Sequence, residues 1–166
     1  MLFVHESLIH APAERVFAFH ELPDALQRLT PEWMHVRIVQ AAPDLAVGRV
    51  AIVDVPIVHM PIVHVPIFHV PIVPGWYTRT ESEHTVYDPP HLFVDTMRRG
   101  PFRSWVHRHL VIPTEGGAIL RDEVDCALPW FVGGGLADRL IVRRRLRRLF
   151  DYRHRVTREW CELVDR

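Results

Sequence analysis

Residues 88–128 read DPPHLFVDTMRRGPFRSWVHRHLVIPTEGGAILRDEVDCAL. Turn chemistry cuts this stretch into three β-strands. Asp88-Pro89-Pro90 turns the chain into a strand over His91–Arg98, and Arg99-Gly100-Pro101 turns it again into Phe102–Ile112. Glu115-Gly116-Gly117 closes a hairpin into a last strand, Ala118–Leu128. Strands joined so tightly must pair antiparallel, because a parallel partner needs a crossover of a dozen or more residues.

Downstream, Gly133-Gly134-Gly135 leads into a helix of roughly 28 residues, with an apolar line through Leu136, Leu140, Leu146, Leu149, Phe150, Trp160 and Leu163. The triple glycine lacks the strand–glycine–helix spacing of a nucleotide fingerprint and reads as an entrance to that helix. Arg143-Arg144-Arg145-Leu146-Arg147-Arg148 reads as its solvated face, with Asp138, Asp151 and Glu159 as local partners.

Upstream, Trp76–Tyr87 alternates, with Tyr77, Arg79, Glu81 and Glu83 on one side and Trp76, Thr78 and Thr80 on the other. Gly48–Val55 and His35–Ala41 are two more strands, separated by a turn at Pro43-Asp44, with Val36, Ile38 and Gln40 of the second on one face. Leu2–Ile9 is the first strand. Ala11-Pro12-Ala13-Glu14 then opens a short helix carrying Val16, Phe17, His20 and Glu21, since proline is tolerated and glutamate favoured in a first turn. Pro23-Asp24 starts a second short helix through Leu26 and Leu29, stopped at Thr30-Pro31. The order is strand, two short helices, six strands and one long helix. It predicts an α+β fold in which a curved antiparallel sheet wraps a long C-terminal helix.

The 166 residues suit one domain over 1–166 with a real core, and the formal net charge of zero argues against a general nucleic-acid binder. All basic residues are arginine, a composition bias rather than a chemistry. Cys126 and Cys161 have no metal spacing and are too few for a disulfide framework, which suits a reducing compartment. His5, Glu6, His10, Glu14 and Arg15 interrupt any apolar leader, so the expected location is cytoplasmic.

Residues 55–74 repeat one pentad: Val-Pro-Ile-Val-His, Met-Pro-Ile-Val-His, Val-Pro-Ile-Phe-His, Val-Pro-Ile-Val-Pro. Without three of these units, Asp54-Val55 runs into Pro71-Ile72-Val73-Pro74-Gly75-Trp76 as a continuous strand and turn, so the repeat reads as an insertion. Its regular prolines exclude a membrane-spanning helix. His59, His64 and His69 are five apart, about 16 Å along an extended chain or about 140° around a helix. Neither places three imidazoles on one metal without a fold-back or a second chain, so no metal and no cofactor is the expectation, with metal binding through His59, His64 and His69 as an alternative role of the repeat. An apolar arm seeks cover, which leaves homo-oligomerisation through residues 55–74, or a lid over a cavity, as its alternatives.

Ile9-His10-Ala11-Pro12-Ala13-Glu14-Arg15-Val16-Phe17 looks like the "I-x-A-P-x-E-x-V-F" opening of the START-like helix-grip (SRPBCC) superfamily, and the element order resembles it too. That superfamily includes pollen-allergen proteins, lipid-transfer domains and polyketide aromatase/cyclases. The segments Asp88–Asp95, Gly100–His109, Leu120–Val124 and Leu146–His154 are similar to a bacterial cyclase/dehydrase-like branch. The resemblance implies a cavity between sheet and long helix for a small hydrophobic, lipid- or polyketide-like molecule. It leaves carriers, sensors and enzymes open.

Period-two alternation puts Arg103, Trp105, His107 and His109 on one strand face, and Asp122, Val124, Cys126 and Leu128 on one face of the hairpin partner. Histidines beside a carboxylate can move protons at neutral pH, which makes His107, His109 and Asp122 candidates for catalysis in an aromatase/cyclase or dehydratase. The bland alternative is a hydrogen-bonded polar cluster or a solvated convex face. Expected ligand contacts are Asp95, Met97, Trp105, His107, His109, Val124 and Phe150, with Arg98 as a weaker neighbour.

Overall fold

The computed structural model describes residues 1–56, 77–128 and 136–163, and the side chains of all of these except 136–139. Seven strands form one antiparallel sheet: β1 (Leu2–Ile9), β2 (Arg37–Gln40), β3 (Val50–Pro56), β4 (Tyr77–Asp88), β5 (Leu92–Arg99), β6 (Ser104–Thr114) and β7 (Gly117–Ala127). Their spatial order is β1-β7-β6-β5-β4-β3-β2, so every neighbour after the first pair is also a neighbour in sequence. β1 returns to lie against β7, with Leu2 opposite Asp125 and Ile9 opposite Ala118. Two short helices, α1 (Ala13–His20) and α2 (Ala25–Arg28), and the long α3 (Leu136–Glu162) complete the helix-grip α+β fold.

α1 starts where the Pro12 carbonyl accepts from the amides of Arg15 and Val16. It buries Val16, Phe17, Phe19 and His20. Val16, Phe17 and Phe19 join Ile9, Phe93, Val111, Leu120 and Cys161 in one apolar cluster. Phe3, Val124, Cys126, Val142, Leu146 and Phe150 form the other. Both thiols are free and buried, and burial pushes Cys161 up to about 12.

β2 is shorter than its pattern predicts. A 3-10 turn over Glu32–Met34 precedes it, and His35 closes that turn in the left-handed region (φ 50°), so pairing starts only at Arg37. The apolar line of α3 also differs from the predicted one. Leu140 and Leu163 are exposed, and the buried line is Val142, Leu146, Phe150, His154, Thr157 and Cys161. That line steps by four or three residues, as one helix face requires, but it includes polar members that an apolar count skips. The arginine run does lie outward: Arg143, Arg144, Arg147 and Arg148 are exposed. Arg148 sits over the Trp33 ring at 4.3 Å, while Glu159 pairs with Arg155 and Asp151 with His5.

β3 and β4 pair from Val50 opposite Glu83 to Pro56 opposite Tyr77. The last described residue of β3 and the first of β4 are therefore opposite each other in one ladder. The pentad repeat, with His59, His64 and His69, lies outside the described residues apart from Val55 and Pro56. Among the described residues no helix is long and apolar enough to cross a membrane.

Candidate functional site

The face of the sheet turned toward α3 carries the chemistry. On β6 that face is Trp105, His107, His109 and Val111, which resolves the ambiguity of alternation: the two histidines point inward and are buried. Asp95 on β5 is the register partner of His107, and Asp122 on β7 is the partner of His109. Four polar side chains are thus delivered to one patch by three neighbouring strands.

Asp122 is 3% exposed and anchors the patch. Its Oδ1 lies 2.8 Å from His107 Nε2, and its Oδ2 lies 2.6 Å from His154 Nε2, which reaches down from α3. His109 Nδ1 is also 2.8 Å from Oδ1, but it is out of line for a hydrogen bond. An ionised carboxylate only accepts, so the Nε2 atoms of His107 and His154 carry the protons in these contacts. On the cavity side, His109 Nε2 meets Asp95 Oδ2 at 3.1 Å, and His107 Nδ1 is 3.7 Å from the same oxygen. His84 Nε2 on β4 lies 3.6 Å from Asp95 Oδ1. His20, from α1, turns its Nδ1 to the Val16 carbonyl (2.9 Å), and its ring stands 5.9 Å from that of His109.

These neighbours drive the titrations apart. Burial pulls His107 down to about 4, helped by the charge on His109. Burial likewise takes His20 down to about 4, and lowers His84. His109 goes the other way. Burial opposes its charge, yet Asp122 and Asp95 outweigh it and raise His109 to about 9. Burial would raise both aspartates, but the imidazoles around them win. Asp95 falls to about 2, held by His109, His107 and His84, and Asp122 lies well below the usual carboxylate range. Arg153 on α3 is lowered by burial but remains a cation, with its Nε on the Leu29 carbonyl at 3.1 Å. At neutral pH the ionised Asp95 and Asp122 thus have the His109 imidazolium and the Arg153 guanidinium beside them.

The patch opens on a cavity of about 300 Å³ between the sheet, α3 and the α1–α2 segment. Asp95, Met97, Trp105, His107 and His109 line it, as do Leu22, Leu29, Val53, Val55 and Arg153. Asp122 sits behind the two histidines, outside the lining. Val124 and Phe150 are also outside it: both are fully buried in the second apolar cluster, where they support the wall from behind. Arg98 points to Glu83 and Arg103 is exposed.

Sequence reasoning missed His20, His84, His154 and Arg153. His84 shares its face with Thr80 and Ser82, so alternation along β4 contains it once the inward side is known. His154 is four residues past Phe150 on the buried line of α3.

No curated protein sequence matches the chain. Among solved structures, the di-domain ARO/CYC StfQ from the steffimycin biosynthetic pathway is 14% identical, covering 99% of this chain and 52% of that one (TM-score 0.68). A START superfamily protein from Mycobacterium smegmatis is 12% identical over 98% of both chains (TM-score 0.61). A nucleoside-diphosphate sugar epimerase from Corynebacterium glutamicum is 20% identical (TM-score 0.64). It covers 95% of this chain, which spans only 28% of the epimerase. At these identities the likenesses speak for the fold alone. The family model for polyketide cyclase/dehydrase and lipid transport matches residues 9–152, and the chain belongs to that family.

Proposed function

We propose that this protein binds a small, mostly apolar molecule in the cavity, with a polar atom of the guest held by the histidine–aspartate patch. The carrying observation is the cavity itself. Its 300 Å³ of space is walled largely by aliphatic and aromatic side chains, and its polar groups are few. That volume is at the lower end for small-molecule sites, with room on the order of ten waters. It suits a guest of one or two rings better than a long chain. The guest's polar atom can accept from Arg153 or donate to His107 Nδ1.

Ala51 lines the cavity from β3 and offers the test. Ala51→Trp is expected to fill the space and weaken binding of an apolar fluorescent probe such as anilinonaphthalene sulfonate at least tenfold, with the thermal midpoint little changed. Unaltered probe affinity in a folded Ala51→Trp protein would place the binding elsewhere.

Neutral His107 beside charged His109, ring centroids 3.7 Å apart, favours a second reading in which a base and an acid move protons on the guest. His107→Asn separates the two. A carrier shows modestly changed affinity and no turnover in either form, whereas an enzyme loses turnover and keeps binding. Two free buried thiols support a reducing compartment, and we place the protein in the cytoplasm. The pairing of Pro56 with Tyr77 supports the repeat as an appendage of the β3–β4 hairpin on one domain.

A further inference from the structure

We propose that Asp95, His107 and His109 form a binding site for one divalent transition-metal ion of the zinc or iron(II) type, on the cavity side of the patch. The inference stands apart from the apolar guest and does not require it. One donor atom from each of the three residues lies within 4.8 Å of the other two. The Asp95 Oδ2 distances are 3.1 Å to His109 Nε2 and 3.7 Å to His107 Nδ1. Metal bonds of about 2.0–2.1 Å at tetrahedral angles set ligand atoms about 3.3 Å apart, so these two pairs need to move by less than half an ångström.

The far side of His107 is already hydrogen-bonded, and that of His109 faces the same carboxylate oxygen, out of line for a hydrogen bond. His107 Nε2 and His109 Nδ1 both lie 2.8 Å from Asp122 Oδ1, which leaves His107 Nδ1 and His109 Nε2 turned toward Asp95. A buried carboxylate behind ligating histidines, fixing ring orientation and strengthening the donor, is the support that protein metal sites use. His154 steadies that carboxylate from α3, and His84 stands 3.6 Å from the other oxygen of Asp95. All three donors come from adjacent β-strands rather than loops, so their spacing is set by the sheet. Two imidazoles and one carboxylate, with no thiolate, suit borderline ions such as Zn²⁺, Fe²⁺ and Co²⁺. The cavity lies on the open side, where the ion's remaining positions can take water or an oxygen of a guest.

The test uses the full chain stripped with chelator and titrated with Zn²⁺ by calorimetry and with Co²⁺ by visible absorption. One equivalent of Co²⁺ with ligand-field bands is expected, and Asp95→Asn and His109→Gln should each weaken it more than tenfold. A second protein, His59→Gln/His64→Gln/His69→Gln, alters only the repeat and should still bind one equivalent. Absence of Co²⁺ and Zn²⁺ binding at micromolar concentrations in the unmutated chain would overturn the proposal. So would loss of binding in the triple variant, or full affinity in folded Asp95→Asn. Because probe binding to Ala51→Trp reads the cavity and Co²⁺ spectra read the patch, either proposal can fail while the other stands.

Discussion

Asp122→Ala is expected to cost the fold about 3–5 kcal/mol, the range for removing one partner of a buried charged pair. For a chain of this size that corresponds to a fall in thermal midpoint of roughly 6–20 °C. The reason is the number of groups that depend on one side chain. Asp122 takes hydrogen bonds from His107 and His154 and supplies the main attraction that keeps His109 charged. Without it, two buried imidazoles from two elements lose their common acceptor, and His109 must give up its proton or remain poorly paired. Asp122→Asn keeps the volume and one acceptor oxygen, so its loss should be intermediate. Asp95→Asn should cost less than Asp122→Asn, because the Asp95 side chain is 22% exposed where that of Asp122 is 4% exposed. Differential scanning calorimetry of the three variants gives the order. A midpoint for Asp122→Ala within 2 °C of the unmutated protein would show that the network does not support the fold.

Stability of the metal-stripped protein should peak near pH 6.5–7 and fall on both sides. His20 and His107 have folded values of about 4 against an ordinary 6.5. Between these limits the unfolded chain takes up protons that the folded chain refuses. Stability is therefore lost as pH drops from 6.5 toward 4, on the order of 3 kcal/mol for each histidine at about 1.4 kcal/mol per unit. His109 has the opposite sign. Its folded value of about 9 lies above 6.5, so its contribution is complete below pH 6.5 and disappears as pH rises toward 9. Asp95, at about 2, adds to the acid loss only below the ordinary carboxylate value near pH 4. Urea denaturation at half-unit steps of pH should trace this dome. Two variants assign its sides: His20→Leu should flatten the acid limb, and Asp122→Asn the alkaline limb. A profile level from pH 5 to 9 would contradict the assignment of charges.

Much of the fold was legible because turn residues mark it at short intervals. Pro89-Pro90, Gly100-Pro101 and Glu115-Gly116 each fall between observed strands, and the meander β4 to β7 follows from them. The long helix was legible in extent but not in face. An apolar count chose Leu140 and Leu163, whereas the chain buries Val142, His154 and Thr157; Asp122 on the sheet partners His154, and the Arg153 carbonyl within the helix accepts from Thr157. Alternation grouped His107 with His109, and Asp122 with Val124, but period two cannot say which face is concave. That choice depends on the curvature of the sheet and the position of α3, which are properties of the whole fold. His154 and Asp122 are 32 residues apart and meet only through tertiary packing, so no local spacing announces the pair. Val124 and Phe150 were placed on the cavity wall by the same reasoning and lie one layer behind it.

Methionine methyl groups offer the most direct view of the hollow between the sheet and α3. Met34 and Met97 line the cavity, whereas Met1 is tied to the end of β7 through Cys126 and Asp125. With ¹³C-methyl methionine, titration with small aromatic and bicyclic compounds should shift the Met34 and Met97 signals together, in saturable fashion, while Met1 stays in place. If no compound that binds the protein moves either cavity signal, the hollow is not where this protein holds its guest.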